Sequence, residues 1–249
     1  MSTLLDGKIA LVTGASRGIG AAAARLFATE GATVVLSGRD EAALKDVTHS
    51  IGSQASYVVA DMAEVPDIER LVATVLQRHG RLDAAFNNAG MGEPPANVAD
   101  TTEEVFDRVT RVNYKAVYFA VAAEVRAMRA SGGGTIVNTS SIGSLLANPA
   151  LPAYGGAKRA VNSLTASAAV QYAAEGIRIN AIAPGLTMTQ MIEDWEKATP
   201  GIIEHGTAAI PLGRPARPEE MAEAAAWLLS DRSSFVTGVV LPVTGGQSL

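Results

Sequence analysis

Ile9-Ala10-Leu11-Val12-Thr13-Gly14-Ala15-Ser16-Arg17-Gly18-Ile19-Gly20 is the stretch on which the fold turns. The first four residues are apolar and partly β-branched, as in a strand buried on both faces. A loop with three glycines follows, and Ala21 to Glu30 then reads as an alanine-rich helix closed by Gly31. Gly14 can make a turn that a Cβ would forbid, and Gly18 and Gly20 allow another group to approach the backbone closely. Ser16, Arg17 and Ile19 stand between them, where the helix begins and its free N–H groups suit a pyrophosphate. A glycine trio alone is a weak signal. Its position between a strand and a helix, with a second strand beginning at Thr33, makes it a dinucleotide-binding loop.

Further out, the same rhythm repeats. Thr33 to Leu36, Tyr57 to Val59, Ala84 to Phe86, Thr135 to Val137, Ile177 to Ile182 and Val239 to Leu241 read as strands. Asp40 to His49, Pro66 to His79, Thr102 to Ala130, Tyr154 to Glu175 and Glu219 to Leu229 read as helices. The alternation predicts an α/β fold: one Rossmann-type, doubly wound domain over residues 1–249, with a seven-stranded parallel sheet and helices on both faces. Leu186 to Pro218 breaks the rhythm, with no clean strand and with Pro200, Pro211, Pro215 and Pro218 inside it, and is expected to be a substrate lid.

Composition narrows the function. The 249 residues are 48% hydrophobic and carry a net charge of -5, which supplies a large core and no basic face for nucleic acid. Without cysteine there is no disulfide, thiolate metal site or cysteine nucleophile. His49, His79 and His205 are far apart and show no ligand spacing, so each is read as a surface histidine and no metal is expected. Met1 to Gly7 lacks the basic start of a signal peptide, and no apolar run approaches the roughly 20 residues that span a bilayer. The expectation is a cytoplasmic protein without a membrane partner. The acidic pairs Glu103-Glu104, Glu193-Asp194 and Glu219-Glu220 point to different sides of a helix and read as structural.

At the end of the second strand an NAD-selective site places a carboxylate for the ribose diol. Here the corner is Ser37-Gly38-Arg39. The acid is missing, and Arg39, with Arg17 in the glycine loop, suits a 2′-phosphate. NADP(H) is therefore expected in preference to NAD(H).

Tyr154 and Lys158 are four apart in a helical segment and emerge on one face. A tyrosine can exchange a proton with a carbonyl oxygen near neutral pH if its pKa falls from about 10; a drop of about three units needs about 4 kcal/mol, which an ammonium and an oxidised nicotinamide can supply together. Tyr-x-x-x-Lys is common by chance, and its weight comes from motifs in order: Thr13 to Gly20, Asn87-Asn88-Ala89-Gly90, Asn113, Ser140-Ser141, Tyr154 with Lys158, and Pro184-Gly185. Over essentially its entire length the chain resembles the short-chain dehydrogenase/reductase family in its classical form.

That resemblance implies an oxidoreductase that moves a hydride between a nicotinamide and a ketone or secondary alcohol. It casts Tyr154 as general acid/base, Lys158 as the residue that lowers its pKa and holds the nicotinamide ribose, and Ser141, thirteen before Tyr154, as the hydroxyl that positions the substrate oxygen. Asn113 resembles the asparagine that holds a water leading to Lys158. Asp61 with Met62 resembles the adenine contact, Asn88-Ala89-Gly90 the segment under the adenine ribose, and Pro184, Gly185, Thr187 and Thr189 the loop at the nicotinamide amide. It also implies a homotetramer packed through Thr102 to Ala130 and Tyr154 to Glu175.

The chain departs from the family pattern at Gly155, Gly156, Thr187 and Thr244. Met91 to Pro95, Gly143 to Leu151 and Leu186 to Trp195 should shape the substrate pocket, with Met188, Met191, Ile192 and Trp195 as an apolar wall. A medium-sized, largely apolar substrate is expected. The alternatives are a 3-oxoacyl-thioester (acyl-carrier-protein) reductase and a dinucleotide-sensing regulator without turnover.

Overall fold

The computed structural model describes residues 3–248, so that Met1, Ser2 and Leu249 lie outside it. Seven parallel strands form one sheet in the order β3-β2-β1-β4-β5-β6-β7, where β1 is Ile9–Thr13, β2 Thr33–Gly38, β3 Ala55–Val59, β4 Ala84–Asn87, β5 Gly134–Thr139, β6 Ile177–Pro184 and β7 Val240–Val243. The chain builds outward from β1 to β3, returns to the other side of β1, and builds outward again. Strand order therefore reverses between β1 and β4, and connections leave these two strands in opposite directions. The crevice that results at their C-terminal ends is where such sheets take ligands.

Period-two alternation assigns each strand residue to a face. Ala10, Val12, Val34, Leu36, Ala84 and Phe86 face one core, closed by α1 (Gly18–Thr29), α2 (Glu41–Ile51) and α9 (Pro218–Leu229). Leu11, Val35, Ala85 and Ile136 face the other, closed by α3 (Val65–His79), α5 (Ala116–Ser131) and α6 (Pro152–Tyr172). Register follows the pattern: Leu11 lies between Val35 and Ala85. Alanines at 21–24 on α1 and at 222, 225 and 226 on α9 are buried, which lets the two helix backbones come close. Phe27 and Phe86 fill the centre with ring centroids 6.1 Å apart.

The segment Thr102 to Ala130, expected as one helix, is helical in three pieces. α4 (Glu103–Thr110) runs into a π-turn, Arg111–Lys115, before α5 begins. The wider turn shifts the hydrogen-bond ladder by one residue and carries Asn113 inward. The stretch 186–218, read as lacking strands, holds two short helices, α7 (Gln190–Ala198) and α8 (Ile202–Ala208), and a single bridge between Thr187 and Ala216. α2 is capped by Asp40, whose carboxylate accepts the Ala43 N–H at 3.1 Å. Glu103-Glu104 and Glu219-Glu220 occupy the first turns of α4 and α9. No helix among the described residues is long and apolar enough to cross a membrane.

One acid is buried away from the crevice. Glu124 on α5 is fully enclosed and accepts a hydrogen bond from Asn87 at 2.9 Å, while Asn87 also donates to Asn138 at 3.0 Å. Burial pushes the Glu124 carboxyl up to about 7, against the opposing effect of the Asn87 amide. Glu124 Oε1 and Asn87 Oδ1 are both without partners. A raised carboxyl stabilises the fold fully below its unfolded pKa and loses that stabilisation as pH rises through its folded value. In urea titrations, wild type should lose about 3 kcal/mol relative to Glu124→Gln between about pH 4.5 and 7.5. Parallel pH curves for the two proteins would contradict this.

Candidate active site

The crevice between β1 and β4 opens into a cleft of about 1840 Å³ that runs from Arg39 and Asp61 past the glycine loop to Tyr154 and Trp195. Its floor is backbone. Gly14, at φ +66°, lies so near the Asn88-Ala89 turn that a Cβ on it would stand 2.9 Å from the Ala89 Cα, and a Cβ on Gly20 would overlap the Gly14 carbonyl oxygen. Thr13 locks the two loops together, its hydroxyl accepting the N–H groups of Asn88 and Ala89, each at 3.1 Å. α1 begins at Gly18 without a side-chain cap, which leaves its first N–H groups facing the cleft.

At the end of the cleft beside β2 and β3, Ser16 and Gly38 are neighbours, and Arg39, with its side chain 76% exposed, stands 3.8 Å from Asp61. The two residues expected to serve separate parts of a cofactor are thus an ion pair across the ends of β2 and β3. Asp61 lies just past β3, which ends at Val59, and its Oδ1 accepts the Ala63 N–H at 2.9 Å. Met62 is buried beside it.

At the other end α6 carries Tyr154 and Lys158 into the cleft. The Ser141 hydroxyl lies beside the Tyr154 hydroxyl, where it favours the ionised phenol. Lys158 is 2% exposed, donates to the Thr139 carbonyl at 2.8 Å, and places its Nζ 5.7 Å from the centre of the Tyr154 ring. Ser140 turns the other way, into a network with Ser144, Asn162 and the Lys158 carbonyl. Of the serine pair, only Ser141 has its hydroxyl at the tyrosine.

Burial pushes the Tyr154 phenol up, partly opposed by Ser141, and pulls the Lys158 ammonium down to about 8. The cause is the enclosure itself, which penalises phenolate and ammonium alike.

Asn113 is fully buried in the π-turn. Its Oδ1 accepts the Met91 N–H at 3.1 Å, and its Nδ2 donates to the carbonyls of Met91 at 3.0 Å and Val109 at 3.1 Å. The side chain thus clamps the loop after β4. A Cβ on Gly90 would lie 3.0 Å from Asn113 Oδ1 and 3.6 Å from Lys158 Nζ, so both polar groups face one point. Pro184 ends β6, and Gly185 packs on Thr244 of the C-terminal turn. Thr187 donates to the Gly185 carbonyl at 3.1 Å, and Thr189 touches the glycine loop, its Cγ2 3.3 Å from where a Cβ of Gly18 would be.

The structure resolves the glycine pair between Tyr154 and Lys158. Gly155 is buried, and a Cβ there would stand 3.2 Å from the Gly143 carbonyl and 3.3 Å from Asn148 Cβ. The 143–148 loop folds down onto it. Gly156 is exposed with nothing within 4 Å. Leu146, Leu151, Leu186, Met191, Ile192 and Trp195 line the cleft, and Met188 does not. Asn148, within the expected 143–151 stretch, also lines it, as do Gln247 and His205, which were not foreseen; His205, read as a surface histidine, is exposed on α8 at the rim.

A dinucleotide fits these residues on the evidence of the glycine floor, the uncapped start of α1 and the buried Thr139 hydroxyl, which lines the cleft and lacks a partner. Comparison with known proteins agrees. The family profile described as Enoyl-(Acyl carrier protein) reductase (adh_short_C2) matches residues 14–248. The chain is 48% identical over 99% of its length to an A-factor type gamma-butyrolactone 1′-reductase (1S-forming) of Streptomyces virginiae, of which 97% is covered. It is 40% identical over its full length to a cyclohexanol dehydrogenase of Acinetobacter sp. (strain SE19), with 98% of that protein covered. The crystal structure of a 3-ketoacyl-(acyl-carrier-protein) reductase from Brucella melitensis complexed with NADH superposes with a TM-score of 0.93 at 35% identity, covering 98% of this chain and all of that one.

The chain belongs to the short-chain dehydrogenase/reductase family, whose members are oxidoreductases of alcohol and carbonyl carbons.

The two glycines give a local test. Gly156→Ala should stabilise by about 0.5–1 kcal/mol, since alanine fits an open helical site. Gly155→Ala should forfeit that gain because the Gly143 carbonyl and Asn148 stand in its way. Thermal melts of the two variants would show the order, and equal gains would refute the packing argument.

Proposed function

We propose that the protein is an NADP(H)-dependent ketone reductase or secondary-alcohol dehydrogenase, with Tyr154 as general acid/base. The observation that carries this reading is the convergence of Ser141, Tyr154 and Lys158 at one end of a cleft whose other end is the glycine loop. Gly14, Ser16, Arg17, Gly18, Ile19 and Gly20 would hold the pyrophosphate, and Arg39, Asp61 and Met62 the adenosine. Asn88, Ala89 and Gly90 would underlie the ribose, with Pro184, Gly185, Thr187 and Thr189 at the carboxamide. When bound, the nicotinamide supplies or accepts the hydride.

The protein's own part is the proton. Ser141 holds the substrate oxygen by hydrogen bond, Tyr154 gives that oxygen its proton, and Lys158 stabilises the phenolate left behind. With its pKa near 8, Lys158 carries most of its charge at neutral pH, where that help is needed. Asn113 holds the loop that bounds this proton site.

Arg39 supports NADP(H): it stands directly after β2, and the acid that follows it, Asp40, has its carboxylate engaged in capping α2. Asp61 keeps it at the adenosine end of the cleft. The apolar wall from Leu146 to Trp195 supports a medium-sized, largely apolar substrate, and two relatives are named for reactions on ring compounds, a butyrolactone and cyclohexanol. A 3-oxoacyl thioester is the second reading, favoured by the names of the family profile and the Brucella neighbour. Arg108 and Arg111 border the cleft, but Glu104 and Asp107 are interleaved with them, a poor dock for an acidic carrier. The 186–218 segment, within one catalytic domain, is the lid. Exposed Phe106, Tyr118 and Val170 on α4, α5 and α6 support homotetramer packing through those helices.

A screen of NADPH oxidation over cyclic ketones, aryl ketones, keto esters and acyl thioesters tests the reading. Cyclic ketones should turn over best, and Tyr154→Phe should lower kcat by about 10²–10⁴ without changing the fold. Turnover of the phenylalanine variant near wild type would overturn the mechanism. On the same substrate NADPH should exceed NADH in kcat/KM, and Arg39→Ala should cost NADPH about tenfold while sparing NADH. Equal or better efficiency with NADH in the wild type would refute the cofactor assignment.

A further inference from the structure

Helix α6 begins in an unusual way for the element that carries the reacting side chains. Its N-cap is Leu151, which has no side chain to accept a hydrogen bond, and Pro152 opens the first turn. The N–H of Tyr154, one of the groups a capping side chain would ordinarily satisfy, instead donates to Glu93 Oε1 at 2.9 Å. Glu93 is 61 residues earlier in the chain, in the loop after β4, and is only 3% exposed. Burying a carboxyl is costly unless it is hydrogen-bonded. A serine or aspartate at 151 would cap the helix without that cost, so helix stability alone does not account for Glu93.

Its neighbours do. Met91 is clamped through both backbone polar groups by Asn113, and Ala96 donates to the Ala150 carbonyl at 3.0 Å. Between these two anchors the strap Met91-Gly92-Glu93 crosses the substrate side of the cleft. A Cβ on Gly92 would lie 2.8 Å from the Trp195 ring on α7. The strap thus touches Asn113, the 186–218 segment and the backbone of Tyr154.

We infer that Glu93 is a positioning residue for Tyr154: by accepting its N–H, the carboxyl fixes the first turn of α6 against the Asn113-clamped strap and so sets where the phenol stands relative to Ser141. This rests on the reading of Tyr154 as the proton donor. Glu93 does not touch the reacting atoms, and its effect is on geometry, where a displacement of about 1 Å can cost about a hundredfold in rate.

The experiment compares Glu93→Ala with Glu93→Gln, which keeps an oxygen acceptor of the same reach. Cyclohexanone with NADPH is the kinetic probe, and amide hydrogen exchange of the 151–158 peptide is read in parallel on the full chain. Glu93→Ala should lower kcat about 30-fold with KM within about threefold, and should speed exchange at Tyr154. Glu93→Gln should restore both to within about threefold of wild type. The inference is overturned if the alanine variant leaves exchange and kcat unchanged. It is equally overturned if that variant only lowers the melting temperature, or if glutamine fails to rescue. Should wild type not reduce cyclohexanone, the functional reading is what suffers, and exchange at Tyr154 still decides whether Glu93 holds that turn.

Discussion

Between the ends of β1 and β4 the backbone comes so close to itself that side chains are excluded, and most of what this protein does follows from that contact. Gly14 faces the Asn88-Ala89 turn across less than the width of a methyl group, and Thr13 ties both N–H groups of that turn to β1. The sheet reverses its order here, so the helices on either side diverge and leave a crevice floored by peptide groups. A flat, charged, extended ligand can lie on such a floor because nothing projects from it. The glycines are needed less for flexibility than for their missing side chains.

A second constraint acts on α6. A helix that presents reacting groups must be held in rotation and along its axis, and apolar packing specifies neither sharply. Here polar contacts do so at several levels: Glu93 at the Tyr154 N–H, Ser140 at the Lys158 carbonyl and Asn162, and Asn138 at Thr165. Each is buried wholly or in part, and a slip of one residue would leave several polar groups unpaired at once. The same enclosure raises the Tyr154 phenol and lowers the Lys158 ammonium. Precision of placement and reluctance to carry charge have a single cause.

Parts of the molecule were legible because they act over a few residues. The seven strands, the helix ends marked by Gly31 and Asp40, and the glycine loop can all be read from local period and residue type. The helix around Asn113 was only partly legible. Its apolar spacing runs through the π-turn, and the inserted residue shows itself only once Met91 is seen to need a partner. The two helices of 186–218 were hidden by Pro200 between them and by the prolines that follow the second.

What the sequence determined by itself is the architecture and the family to which the chain belongs. A strand, glycine loop and helix in succession admit few folds, and tyrosine, lysine and serine at set spacings keep their chemistry wherever they are placed. What only the tertiary structure decided is which groups meet across long separations: Glu93 with Tyr154, Arg39 with Asp61, and Asn148 over Gly143 and Gly155. These contacts depend on strand order and on the exact path of loops. Those are settled by the packing of both cores at once, and no local stretch of sequence carries that information.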